Sequence, residues 1–379
     1  MSKIFKPLLL TMLVVLAIVA IIAIASKSIL RKTEKFIVIT DLEPDDRIAL
    51  HVLAARIPKD QILFVGTTVK NAARKKELTR KLLDQLQLQD VPLYQGSGGS
   101  AASYHDIASS RAARQYSQEG ENLLSVEKLN ELEHADYSST ELQNHLKNAL
   151  EENHDVQIIL LAPPTDLVAV LAETPSLKKN IKHIYIMGGW VELQEHEQTV
   201  LRTTYNWNMD PVASAQLMKM NDMPMTLYSS HTIKESFSGG SCNIDNATAV
   251  INCMNELQSQ MPSLKDQTIA ALSWDEHIMA QIPALKEVIE PYKGKQFTPA
   301  DPLVIIGIIN NDLIASEQAV DVKIDLTDLD ASKGFRVYVT PNWASKIRLV
   351  QEINVDVFKK QLVESLHMLN TARGASRNR

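Results

Sequence analysis

Cysteine is nearly missing from this chain of 379 residues, which holds only Cys242 and Cys253. Two thiols cannot build a disulfide framework, and these lack the paired spacing of a metal site. They read as bystanders, with one optional bridge in an oxidising compartment. Positive charge is not in surplus either. Lys and Arg number 39 against 45 Asp and Glu, a net charge of −6, so no basic footprint marks the chain as a binder of nucleic acid. No glycine loop leads into a Lys-Ser/Thr pair, which removes the common phosphate cradle. Internal repeats are lacking, as is a clean linker after Lys35. With hydrophobic residues at 45%, the chain can bury a large core, and one domain over 34–370 is the economical reading.

One long apolar run is present, at the N-terminus. Leu8 to Ala25 carries no charge and only Thr11 is polar, which reaches the lower length of a membrane-spanning helix. Lys3 and Lys6 precede it and Lys27, Arg31 and Lys32 follow, so the flanking charge does not choose an orientation. Ala23-Ile24-Ala25 before Ser26 also fits a signal cleavage site. Residues 1–33 are therefore expected to be a single-pass membrane anchor, or a signal removed on export. The basic stretch 371–379 is expected to be a disordered tail.

Between these ends, strand-like and helix-like runs alternate, which predicts an α/β fold with a mostly parallel sheet flanked by helices. Strands are expected at Phe36–Thr40, Gln61–Val69, Val91–Gln95, Val156–Ala162, Ile181–Met187 and Met225–Tyr228. Three more are expected at Val320–Leu326, Gly334–Val339 and Lys346–Ile353. Helices are expected from Arg47 onward, over Ala72–Leu88 and Glu141–Glu151, across Asn246–Ile282 with a break near Pro262, and over Val355–Leu369. Gly96 to Gly120, with His105 and Asp106, reads as a polar loop of the kind that covers sites.

The chemistry concentrates after the first strand. Asp41, Glu43, Asp45 and Asp46 crowd into six positions at a strand's end, where an α/β sheet places its ligands. Like charges so close need a cationic offset, and oxygen-only ligands favour calcium or magnesium. The plain alternative is a solvated acidic turn whose aspartates cap a helix. Asp301 heads a distant apolar helix, where a cap alone would also explain it.

Taken together, these positions resemble the calcium-dependent nucleoside hydrolases, the inosine/uridine-type N-ribohydrolases. Ile39-Thr40-Asp41-Leu42-Glu43-Pro44-Asp45-Asp46 stands where that family has D-x-D-P-G-x-D-D. Ile158 to Leu167 is similar to its strand and L-T-N segment, and Ile186-Met187-Gly188-Gly189 matches its M-G-G. Asn206 to Pro211 resembles N-x-x-x-D-P, and Ala300-Asp301-Pro302-Leu303 resembles H-D-P-L. The likeness runs in order over about residues 36 to 369, more than a chance match to one short motif would give.

The resemblance implies hydrolysis of the N-glycosidic bond of ribonucleosides. Asp41, Asp46 and Asp301 would bind calcium through side chains, and Leu161 through its carbonyl. Asp41 would be the general base toward an acidified water, which attacks the anomeric carbon as an oxocarbenium-like transition state forms. Asp45, Asp301, Asn206 and Asn71 would hold ribose hydroxyls. Dimers or tetramers are common in the family. The sequence departs from the pattern at Ile39, where an Asp is usual, at Thr204, which replaces a Glu, and at Ala300, which replaces a His that protonates the leaving base. His231 and His277 are the candidate substitutes for that acid, with Trp190 and His105 also able to approach a base. A protein that keeps the metal and sugar cradle without turnover is the alternative, and metal-assisted cleavage of a phosphate ester is a third reading.

Overall fold

The first strand, β1 (Lys35–Thr40), forms because Phe36, Ile37, Val38 and Ile39 are β-branched or aromatic and find apolar cover on both faces. Phe36 and Val38 point into one hydrophobic cluster and Ile37 and Ile39 into another, the period of two that a sheet imposes. The computed structural model describes residues 34–69, 72–97, 139–193, 204–238, 300–330 and 334–377. The chain divides into two compact units, Met1–Lys35 and Phe36–Arg379. Among the described residues no helix is long and apolar enough to cross a membrane, and Leu8–Ala25 lies outside them.

The strands that follow are β2 (Ile62–Thr67), β3 (Leu93–Gln95), β4 (Val156–Leu160), β5 (Ile181–Met187), β6 (Met225–Tyr228), β7 (Ile314–Asp330), β8 (Gly334–Pro341) and β9 (Ile347–Ile353). They join one sheet in the order β3-β2-β1-β4-β5-β6-β9-β7-β8. The pairs β1/β2, β2/β3, β4/β5, β5/β6 and β6/β9 are parallel, while β7 runs antiparallel to β9 and β8. The sheet is thus mixed and mostly parallel, as the alternating pattern predicts. Strand order reverses between β1 and β4, which opens a crevice beyond their C-terminal ends.

Helices cover both faces. One layer holds α1 (Pro44–Arg56) and α2 (Ala72–Gln85), with Leu50, Leu53 and Leu83 buried beneath them. The other holds α3 (Glu141–Glu152) and α4 (Thr165–Glu173), whose Leu142, Leu146, Leu150 and Leu167 pack on the opposite face. Next come α5 (Tyr205–Met209), α6 (Pro211–Lys219), α7 (Ser230–Ser238), α8 (Ala300–Ile309) and α9 (Val355–Arg377). Helix α8 is apolar all round because it is enclosed: Leu303, Val304, Ile305 and Ile306 have no exposed surface.

Several boundaries differ from the pattern. Helix α1 starts at Pro44 rather than Arg47, since proline suits the first helical turn. Strand β7 begins six residues before Val320 because Ile314 to Ala319 pairs with β9 despite its polar Ser316, Glu317 and Gln318. The closing helix, expected over Val355–Leu369, continues to Arg377 into the stretch read as a tail. The expected helices over Asn246–Ile282 and most of the Gly96–Gly120 loop lie outside the described residues.

Candidate active site

The turn from β1 into α1 is held by its own side chains. Thr40 Oγ1 donates to Asp46 Oδ1 and accepts from Leu42 N at 3.1 Å, while Glu43 N donates to Asp46 Oδ2 at 3.0 Å. Asp46 is therefore fixed at both oxygens before any ligand arrives. Leu42 carries the turn with φ of 54°, a left-handed conformation costly to a residue with a Cβ. Glu43 is extended with φ −65° and ψ 168°, so no glycine is needed at that position. Val69, just past β2 at the same edge of the sheet, is a second left-handed residue, at φ 70°.

Helix α8 brings the distant acid to this turn. Asp301 N lies 3.5 Å from Asp45 Oδ2, across 256 positions of chain. Asp45, Asp46 and Asp301 each offer an oxygen within 4.8 Å of the other two. Asp41 adjoins them and acts electrostatically on both Asp46 and Asp301. Four buried oxygens here have no hydrogen-bond partner among the described residues: both of Asp41, Oε1 of Glu43 and Oδ1 of Asp301.

The electrostatics follow from that geometry. Burial, then the charges of Asp45, Asp46 and Asp41, hold the Asp301 carboxyl well above the usual carboxylate range. Burial and the Asp41 and Asp45 charges do the same to Asp46. Burial, then Asp41, raises Glu43 well up and pushes Asp45 up to about 6. Asp41 is raised by burial, and the Lys75 ammonium on α2 partly opposes the rise at both Asp41 and Glu43. Tyr205 adds a hydrogen bond to Glu43. A buried cluster of hard oxygens, four of them without a hydrogen-bond partner among the described residues and all of like charge, is what a divalent cation would relieve, so the donor set fits calcium.

Leu161, the residue after β4, donates its N–H to Ile39 O at 2.9 Å and accepts from Asn206 Nδ2 at 2.8 Å. A carbonyl has a second lone pair, which keeps Leu161 eligible as a metal ligand. Asn206 Nδ2 also reaches Met187 O at 3.2 Å, so its amide nitrogen braces the ends of β4 and β5. Only Asn206 Oδ1 could accept from a substrate hydroxyl. His231 sits at the head of α7 with Nε2 3.4 Å from Glu192 Oε2. Asn71, His277 and His105 lie outside the described residues.

Two supporting residues escape a motif search. Thr40 reads as the end of a strand, and only the fold brings its hydroxyl to Asp46. Lys75 reads as one of several cations on a basic helix, and only packing singles it out.

The comparisons with known proteins fall on the same stretch. The model of the family described as inosine-uridine preferring nucleoside hydrolase matches residues 36–360. The chain belongs to that family. Among solved structures, the nucleoside hydrolase fold of this chain is similar to an inosine-uridine preferring nucleoside hydrolase from Bacillus anthracis. The two share 15% identity at a TM-score of 0.59, covering 89% of this chain and 100% of that one. A purine-preferring ribonucleoside hydrolase from Gardnerella vaginalis shares 14% identity at a TM-score of 0.56, covering 89% and 99%. An inosine-guanosine nucleoside hydrolase shares 16% at 0.58, covering 88% and 98%. At such identities the likeness speaks for the fold alone. Among curated proteins none matches the sequence.

Proposed function

We propose that this nucleoside hydrolase family member cleaves the N-glycosidic bond of ribonucleosides to free base and ribose, with calcium held by Asp41, Asp46, Asp301 and the Leu161 carbonyl. Asp45 stands within ligand reach of the same point and adds to that set. The observation that carries the reading is the meeting of buried, unpartnered carboxylate oxygens from the first turn and from α8. A bound calcium ion would offset these charges and make a neighbouring water more acidic.

The residues themselves do the rest. Asp41, with both oxygens unpartnered, takes a proton from the attacking water as general base. Asp45 and Asp301 accept from ribose hydroxyls, and Asn206 Oδ1 and Asn71 serve the same sugar. Charge-assisted bonds of this kind orient the ring and stabilise positive charge developing at the anomeric carbon.

A second reading has one observation in its favour. The head of α8 offers Ala300, buried and with no proton to give, beside Asp301. A protein that binds calcium and a ribosyl group without turnover would tolerate that residue. A panel of purine and pyrimidine nucleosides, run with calcium and with chelator, separates the two. Release of free base that stops on chelation supports hydrolysis; calcium binding with no release supports the binding protein. Tethering through residues 1–33 belongs to the same proposal. Retention of the full chain in membranes after an alkaline wash would support an anchor, and a soluble exported product would support a cleaved signal.

A further inference from the structure

The proposed roles commit Asp41, Asp45, Asp46 and Asp301 to calcium, the water and the sugar, which leaves the departing base with no acid assigned to it. A second polar group stands at the same edge of the sheet, where β5 and β6 end. Trp190 Nε1 donates to Glu192 Oε2 at 3.3 Å, and His231 Nε2 lies 3.4 Å from that same oxygen. The Trp190 and His231 rings meet edge to face, with centroids 5.5 Å apart. The His231 side chain is 25% exposed and that of Glu192 17%. Both side chains are mostly covered, and each keeps some surface from which a ligand could be reached.

The two segments are locked together. The buried Ser229 hydroxyl donates to Val191 O at 2.8 Å and accepts from His231 N at 3.1 Å and Val191 N at 2.8 Å. Ser230 N donates to Gly189 O at 2.9 Å. Gly189 has φ of 76°, and a Cβ there would stand 2.6 Å from the Trp207 ring, so the turn bearing Trp190 must pass close over α5. Asn206, beside Trp207, bonds the Leu161 and Met187 carbonyls. One unbroken set of contacts therefore runs from the proposed ligand carbonyl of Leu161 to the Trp190 turn.

We propose that Trp190, Glu192 and His231 form the leaving-group side of the site, in which His231 protonates the base as it departs. This rests on the glycosidase reading above. Glu192 is a positioning residue: its carboxylate pairs with Nε2, which leaves Nδ1 as the nitrogen that delivers a proton to the base. The electron pair of the breaking C1′–N bond goes into the base, which takes the Nδ1 proton. The water oxygen bonds C1′ and its proton passes to Asp41. The products are neutral base and ribose, and both side chains reset by exchange with solvent. The Trp190 indole, fixed through its N–H, offers a flat face to a planar heterocycle.

The test compares inosine with p-nitrophenyl β-D-ribofuranoside on the full chain, since nitrophenolate departs without a proton and purine does not. His231→Gln is expected to lose about 100-fold in kcat on inosine and less than about threefold on the nitrophenyl riboside. Glu192→Gln is expected to show the same selectivity at about tenfold. The nitrophenyl substrate also reports that each variant is folded. Equal losses on both substrates, or no loss on inosine, overturn the assignment while leaving the glycosidase reading in place. A wild-type chain that hydrolyses neither substrate removes both.

Discussion

Two buried aspartate sites at the same edge of the sheet behave in opposite ways. Asp166, at the start of α4, is met on every side: Thr68 Oγ1 at 2.8 Å, Ser97 N at 3.1 Å, Ser97 Oγ at 3.3 Å and Gln143 Nε2 at 2.9 Å. Burial raises its carboxyl, and those donors pull it back. In the cluster of Asp41, Asp45, Asp46 and Asp301, burial acts in the same direction, yet the neighbours are mostly other carboxylates, and the oxygens of Asp41 go unmet. Burial alone therefore does not mark function. A buried acid whose lone pairs are satisfied ties segments together, and a cluster of acids whose lone pairs are left open is where a cation, a water or a proton would be stabilising.

The largest effect should come from breaking the satisfied site. Asp166→Ala strands the Ser97 N–H and hydroxyl and the Gln143 amide, and should cost about 3–4 kcal/mol in denaturant unfolding. Its calcium response, measured as the shift in melting temperature, should be that of the wild type. Asp46→Asn should do the reverse. Loss of one anionic ligand lowers nucleoside hydrolysis about 100-fold or more. In chelator the relief of a like charge and the loss of one of the two acceptors that meet Thr40 Oγ1 and Glu43 N oppose each other, so the variant should stay within about 1 kcal/mol of the wild type. A stability loss as large as that of Asp166→Ala would mean that the cluster is structural after all.

Calcium itself sharpens the contrast at a smaller scale. At a free concentration ten times its dissociation constant, it should stabilise the wild type by about 1.4 kcal/mol. Chelator should reverse the gain, Asp46→Asn should abolish it, and Asp166→Ala should keep it. A wild-type melting temperature indifferent to calcium would count against the metal reading of the cluster.

Much of the open site was legible in the sequence and little of the satisfied one. Asp41, Asp45 and Asp46 stand together in one turn, and Asp301 is tied to them by a motif resemblance that the 3.5 Å contact with Asp45 bears out as proximity. Asp166 gave no such signal, because its partners Thr68, Ser97 and Gln143 come from three separate segments and each is an ordinary polar residue alone. The strands β1, β4 and β5 were plain because buried parallel strands are continuous apolar runs. The first part of β7 was not, since a half-exposed strand with Ser316, Glu317 and Gln318 reads as loop. The left-handed Leu42 was invisible too, as backbone strain at a site leaves no mark in residue type.

The smallest contrast comes from a half-buried group that needs neither an ion nor a ring of donors. His183 on β5 meets Thr226 Oγ1 at 2.9 Å through Nε2, and burial, aided by Lys182, pushes its pKa down to about 4. Between that value and the ordinary histidine value near 6.5, the unfolded chain binds more protons than the folded one. The contribution to stability is therefore complete above about pH 6.5 and is lost as the pH falls toward about 4. Partial exposure reduces its size to about 1 kcal/mol. The raised acids of the open cluster titrate with the opposite sign, so the wild-type profile alone would mix the two. The difference between the wild type and His183→Gln, each unfolded in urea from pH 7 to pH 4.5 with calcium present, isolates the histidine. The gap between the two curves should change by about 1 kcal/mol over that range, in favour of the variant at low pH. Parallel curves would show that His183 is hydrated enough to titrate normally.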